Sequence, residues 1–174
     1  MVTGHWSLVT GTVLFARIFK EQSFEFKMSL KQKTRVGSIL ACDWPIAQLP
    51  GLSQEEQSQL ENCGITTTVA LVKHGKTSAT KLALANELQI HVQYIHKWVA
   101  LADLARIPSV GTQYCGLLLH AGVISVTQLA AIPVHKLHKQ ILRLVVATMQ
   151  SRDLCPSVEQ VQQWSYQAKV IGDW

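Results

Sequence analysis

The chain of 174 residues is long enough for one ordinary domain or two very small ones. Hydrophobic residues make up 48% and charged residues only 16%, which excludes collagen-like, mucin-like and wholly disordered chains. The net charge is +5, but residues 1–44 hold six Lys or Arg against three Asp or Glu, which leaves +2 for the rest. Strong nonspecific DNA binders cluster many basic residues, so this distribution predicts at most a weak or localised phosphate site.

The first 43 residues show neither clean helical periodicity nor a strand and turn pattern, so we expect a flexible N-terminal tail. An alternative is that translation begins at Met28, which opens a basic stretch. The apolar run from Trp6 to Ala16 is too short to span a bilayer, and no Lys or Arg precedes it. We therefore expect a cytoplasmic protein that contacts no membrane.

The cysteines are far apart and form no C-x-x-C pair of the kind that binds zinc or performs redox chemistry. We interpret them as buried reduced thiols; they are Cys42, Cys63, Cys115 and Cys155. Two pairs could begin a metal site or a nucleophile, although spacing indicates no third ligand: His135 with His138, and Cys115 with His120. Since the chain also lacks a Gly-rich nucleotide loop and a serine elbow, we expect a non-catalytic protein without metal or cofactor.

Internal repetition organises residues 44–174. Leu49-Pro50-Gly51-Leu52-Ser53 aligns with Ile107-Pro108-Ser109-Val110-Gly111 at an offset of 58 residues, and Gly64 aligns with Gly122 at the same offset. Trp98 aligns with Trp164 at an offset of 66, so the second copy holds about eight extra residues. The repetition predicts an all-α protein of two copies packed as one compact helical domain, with the first copy over 44–105 and the second over 106–174.

Capping residues and glycines predict where the helices start and stop. In the first copy the signals are a capping box of Ser53 and Glu56, a stop at Gly64, caps at Thr67 and Ser78, and a helix from Val92 to Ala102. In the second copy they are a helix over about Thr112–Ala121, a stop at Gly122, a cap at Ser125, a helix opened by Pro133, and a last helix started by Ser157.

Three tryptophans lie in or beside the repeated region, and their positions predict whether each is buried. Trp98 and Trp164 lie at equivalent positions within apolar helical stripes, so we expect each to fill the core of its copy. Trp44 lies at the margin of the repeated region, where we expect a lid or an exposed contact.

The sequence order hydrophobic residue, Pro, small residue, hydrophobic residue, Gly, then a helix, then Ala-Gly-hydrophobic residue and a Ser or Thr cap resembles the helix-hairpin-helix motif, and Ile107 to Leu129 is the closer match. More specifically, Pro45 to Lys169 resembles a bacterial family of unknown function, frequent in photosynthetic bacteria, that is made of tandem helix-hairpin-helix repeats. The likeness is carried largely by Leu101-Ala102-Asp103-Leu104-Ala105-Arg106-Ile107 and Pro156-Ser157-Val158-Glu159-Gln160-Val161. The resemblance implies a fold and carries no established activity.

Helix-hairpin-helix motifs often bind DNA through backbone amides of the turn and a nearby basic side chain. Both turns depart from that pattern: Gly51-Leu52-Ser53 lacks the second glycine, and Ser109-Val110-Gly111 lacks the first. Glu55 and Glu56 follow the first turn and would repel phosphate, and a neutral run follows the second. From the sequence, neither hairpin has a basic partner.

The best basic surface follows Pro133. Lys136, Lys139 and Arg143 are spaced for one helical face, with His135 and His138 beside them. The plain interpretation is a solvated outer face, and the functional one is a site for phosphate or an acidic partner. We interpret Lys73, Lys76 and Lys81 as a solvated loop region. A helix-turn-helix over Lys81–Val99, with His91, Gln93, His96 and Lys97 toward a DNA groove, is a further alternative.

Two hypotheses for function remain open. The first is a non-catalytic adaptor that binds a protein partner. The second is weak, sequence-nonspecific binding of DNA or RNA through one hairpin turn and the basic helix face. The candidate binding residues for either are Ser109, Val110, Gly111, His135, Lys136, His138, Lys139 and Arg143.

Overall fold

The computed structural model describes residues 39–149 and 154–172. In chain order its helices are α1 (Gln54–Asn62), α2 (Thr68–His74), α3 (Ser78–Glu87), α4 (Val92–Ala105), α5 (Gly111–His120), α6 (Val126–Ala131), α7 (Val134–Met149) and α8 (Val158–Ile171), with a 3₁₀ turn at Ile46–Gln48. Apart from an isolated bridge between Pro45 and Thr67, these residues contain no β-structure. The predicted all-α class is confirmed.

The predicted caps are found at most helix starts. Ser53 and Glu56 form a reciprocal capping box, and the side chains of Thr67, Ser125 and Ser157 each accept a backbone N–H three residues on. The prediction of Ser78 as a cap is wrong by one residue. Thr77 is the cap, because its extended backbone lets its hydroxyl accept the amide of Thr80 while the Thr80 hydroxyl accepts that of Thr77.

Local geometry recurs between the two halves at the offset of 58 residues. The Ile65 amide donates to the Leu60 carbonyl and the Val123 amide to the Leu118 carbonyl, both at 2.9 Å. The glycines between them, Gly64 and Gly122, have φ of +78° and +92°, which glycine adopts at little cost.

Helix packing follows the same order. In the first half α4 packs against α2 and α3, and in the second half α8 packs against α6 and α7. Helices α4 and α5 pack against each other and join the halves, so one continuous hydrophobic cluster runs through both.

Trp98 and Trp164 are fully buried, which confirms their predicted core positions. Their polar environments differ. The Trp164 indole Nε1 donates to the Ser109 carbonyl at 2.9 Å, whereas the buried Trp98 Nε1 has no hydrogen-bond partner among the described residues. Two side chains at equivalent positions therefore differ by one buried hydrogen bond.

Residues 42–46, named here the strap, cross the junction of the two halves. The Cys42 amide donates to the Arg106 carbonyl at 2.7 Å, and the Trp44 Nε1 donates to the Ala105 carbonyl at 2.8 Å. The Asp43 carboxylate accepts the Val69 amide at 3.0 Å, which caps the start of α2. The prediction of Trp44 as an exposed contact is wrong, because its ring is half-buried against the core. Its alternative role as a lid stays a prediction.

Most of the predicted N-terminal tail, residues 1–38, lies outside the described residues. Cys42 and Asp43, which the sequence interpretation placed in that tail, hydrogen-bond to the folded part. The proposed start at Met28 also lies outside the described residues.

Candidate functional site

The second hairpin turn uses its backbone amides inside the fold. The Ser109 amide donates to the Gln167 side-chain carbonyl at 3.0 Å, and the amides of Val110 and Gly111 both donate to the Ile107 carbonyl. The Ser109 hydroxyl also donates to Gln167, at 2.6 Å, and Val110 is only 2% exposed. A phosphate at Ser109–Gly111 would have to displace these internal hydrogen bonds, so the turn is a packing element that joins α5 to α8.

The first hairpin turn has a basic neighbour that sequence spacing did not reveal. Gly51 has φ of +82°, the value that the third residue of a type II turn requires. The Lys97 Nζ on α4 lies 3.4 Å from the position that a Cβ on Gly51 would occupy. The prediction that neither hairpin has a basic partner is therefore wrong for the first turn. The negative charge of Glu56 beside it is engaged in the cap, where its carboxylate accepts the Ser53 amide at 2.6 Å.

Four of the five candidate residues on α7 share an exposed face. His135, Lys136, Lys139 and Arg143 are exposed, and none lies within ion-pair distance of a described carboxylate. Val146, 38% exposed, lies on the same side of the helix as Lys139. We name His135, Lys136, Lys139, Arg143 and Val146 the α7 face.

His138 does not belong to the α7 face. It is half-buried, with its Nε2 3.2 Å from the Pro156 carbonyl and 3.9 Å from the Cys155 Sγ. Its side chain therefore ties α7 to the segment that leads into α8, and we interpret it as structural.

A second cluster of basic residues lies in a cavity between the two halves. The cavity has a volume of about 420 Å³, and its lining includes Lys76, Lys81, His96 and Lys97 from the α2–α3 loop, α3 and α4, together with Arg106, which follows α4. We name it the basic groove. Its walls also include Asp103 and the apolar residues Val72, Val99, Ala100, Leu119 and Ile124. Lys76 and Lys81 were interpreted from sequence as a solvated loop region; the structure places them together with Lys97 in this groove.

The acidic group of the basic groove is already engaged. One Asp103 carboxylate oxygen accepts the Arg106 Nε at 2.8 Å, and the other accepts the Val126 amide, also at 2.8 Å. Arg106 is 2% exposed and donates in addition to the Gly172 carbonyl. The positive charge of the three lysines is therefore not neutralised by Asp103.

The field of Lys97 reaches α5. Burial, and then the positive charge of Lys97, lower the pKa of His120 from 6.5. The protonated, positively charged form of His120 is therefore disfavoured beside the groove. The pKa of His120 reports the positive charge of Lys97.

Among the thiols, only Cys115 is buried as the sequence interpretation expected of all four. Burial raises its pKa to about 12, so it is a poor nucleophile. Cys42, Cys63 and Cys155 are half-buried and free. Within residues 39–149 and 154–172, no group of three His, Cys, Asp or Glu side chains is placed to hold a metal ion.

A family model described as "Domain of unknown function (DUF4332)" matches residues 50–171. The chain belongs to this family. The DUF4332 match spans α1 to α8 and so includes the α7 face and the basic groove. No curated protein and no solved structure matches the chain. In the described part of this DUF4332 protein, no helix has both the length and the apolar character needed to cross a membrane.

Proposed function

We propose that the protein is a non-catalytic module of two tandem helix-hairpin-helix repeats that binds an acidic surface of a partner protein through the α7 face. The repeat assignment is supported by the glycine conformations and hydrogen bonds that recur at an offset of 58 residues. The cytoplasmic location expected from the sequence stays a prediction.

One observation carries the binding proposal. Lys136, Lys139 and Arg143 are exposed on one side of α7 with no described carboxylate within ion-pair distance. Uncompensated charges on one rigid helix attract a complementary surface, raise the rate of encounter and disfavour basic partners. Val146 adds an apolar contact that a partner protein could cover.

A second candidate function is sequence-nonspecific binding of nucleic acid. It is favoured by the position of Lys97 beside the Gly51 turn, which resembles the pairing of a hairpin turn with a basic side chain. It is disfavoured at the other turn, because the amides of Ser109, Val110 and Gly111 are already hydrogen-bonded. We therefore place protein binding first.

Charge reversal on α7 tests both candidates. The full chain and a Lys136→Glu/Lys139→Glu variant are compared by affinity enrichment with quantitative mass spectrometry, and Lys169→Glu on α8 is the control because Lys169 is also exposed. The proposal predicts an acidic partner that is retained by the parent and the control and lost by the double variant.

The same proteins are titrated with labelled duplex DNA, single-stranded DNA and RNA at low and near-physiological salt. Binding that falls steeply with salt, with a slope reduced by about 2 in the double variant, would establish nucleic-acid binding at the α7 face instead. If the double variant retains every partner and the nucleic-acid titrations are unaffected, the α7 face is not the binding site.

A further inference from the structure

The basic groove has the dimensions of a small-molecule site. Its volume of about 420 Å³ lies within the range of about 300 to 1,000 Å³ that ligand pockets occupy. It is formed where α4 of the first half meets α5 and the α5–α6 turn of the second half, so packed helices fix its walls on two sides.

The charge in the groove is positive and uncompensated. None of Lys76, Lys81 and Lys97 lies within ion-pair distance of a described carboxylate. The oxygens of Asp103 are engaged by Arg106 and by the start of α6, so they do not neutralise the lysines. Lys76, Lys81 and Lys97 line one concave site, and their positive charges favour an anion there.

Apolar side chains form another part of the lining. Val99 and Ala100 come from α4, Leu119 from α5 and Ile124 from the α5–α6 turn, where its side chain is 62% exposed. A ligand that fills the groove must therefore place an apolar or aromatic part against these side chains and an anionic part near the lysine amines.

We propose that the basic groove binds a small organic phosphate of about the size of a mononucleotide. Lysine ammonium groups bind phosphate as point charges, and a diphosphate carries enough negative charge to balance three of them. The apolar walls take the base or an equivalent organic group. This site involves different residues from the α7 face, so it does not depend on the proposed protein binding.

Isothermal titration calorimetry of the full chain with ADP, pyrophosphate and adenosine tests the ligand class. We expect ADP to bind most tightly, pyrophosphate more weakly because it leaves the apolar walls empty, and adenosine not measurably. Tighter binding of adenosine than of pyrophosphate, or no heat with any of the three, would overturn the proposal. A short single-stranded oligonucleotide is titrated in parallel, and binding of it without binding of ADP would overturn the small-molecule assignment.

Substitutions locate the site. Lys81→Gln and Lys97→Gln should each weaken ADP binding by at least about tenfold, since each removes a charge-assisted contact. Lys139→Gln, on the α7 face, is the matched control and should bind like the parent. Equal affinity in all three variants would place the ligand elsewhere and refute the groove.

A further pair at one exposed position separates charge from folding. Ile124→Glu and Ile124→Gln both remove an apolar contact, but only Ile124→Glu adds a carboxylate at the groove, so it should weaken ADP binding clearly more than Ile124→Gln does. Circular dichroism checks that both variants fold. If both variants bind ADP alike, a carboxylate at this wall does not repel the ligand, and the groove is not the binding site.

Discussion

Replacing each core tryptophan by phenylalanine isolates the one hydrogen bond that distinguishes them. Both side chains are fully buried at equivalent positions, so Trp98→Phe and Trp164→Phe remove the same atoms and leave similar cavities. Trp164→Phe also removes the donor to the Ser109 carbonyl, while Trp98→Phe removes an N–H that has no described partner. Losing the partner of a buried polar group costs about 1 to 3 kcal/mol, whereas removing an unpaired buried N–H recovers part of its desolvation cost.

Trp164→Phe should therefore be less stable than Trp98→Phe by at least about 1 kcal/mol. Urea denaturation followed by far-UV circular dichroism gives the two free energies of unfolding, and thermal melts should differ by at least roughly 3 °C in Tm. Equal stabilities, or a less stable Trp98→Phe, would refute the reasoning. Trp164→Phe combined with Gln167→Ala distinguishes a local effect from a general one, because Gln167 also contacts Ser109. If the hydrogen bonds at Ser109 stabilise one another, the losses of unfolding free energy in Trp164→Phe and Gln167→Ala will not add up in the double variant.

Three further predictions concern single side chains. A Cβ on Gly75 would clash with Val99, so Gly75→Ala should lower the free energy of unfolding by about 1 to 3 kcal/mol. Adding Val99→Ala to this variant should restore part of the loss. An unchanged urea midpoint in Gly75→Ala would contradict the clash. Because the pKa of Cys115 is about 12, iodoacetamide at pH 8 should modify it only after unfolding, and rapid labelling of the native protein would contradict its burial. Since Lys97 lowers the pKa of His120, Lys97→Gln should raise that pKa in an NMR titration, and no change would separate the two groups.

The same histidine makes a contribution to stability with a definite sign. Its folded-state pKa lies below the unfolded value of 6.5, so the unfolded chain binds the proton more readily. His120 therefore lowers stability as pH falls below about 6.5, and the loss should shrink in His120→Gln.

Much of the fold could be predicted from local signals. The helix expected over about Thr112–Ala121 is found at Gly111–His120, and the predicted stop, Gly122, follows its C-cap with φ of +92°. Each capping side chain accepts a backbone N–H only three residues further on, so a short sequence pattern is enough to identify Ser53, Thr67, Ser125 and Ser157.

The candidate sites could be predicted only in part. The α7 face follows from helical spacing on one element, and four of its predicted residues share an exposed side. The basic groove combines Lys76, Lys81 and Lys97 from a loop and two helices, and no sequence pattern indicates that they meet. The contact of Ser109 with Gln167 spans 58 residues, so a turn that resembles a phosphate site gives no sign in the sequence that its amides are occupied.

The strap makes the folding unit longer than the region that the family shares. The DUF4332 match begins at residue 50, yet residues 42–44 supply hydrogen bonds to the carbonyls that end α4 and to the start of α2. A gene fragment trimmed to 50–171 would leave the Ala105 carbonyl without its indole donor and would uncover the side of Gly111 that Trp44 contacts. A fragment for biochemical work should therefore begin before residue 42, so that Cys42, Asp43 and Trp44 keep their hydrogen bonds to α2 and to the end of α4.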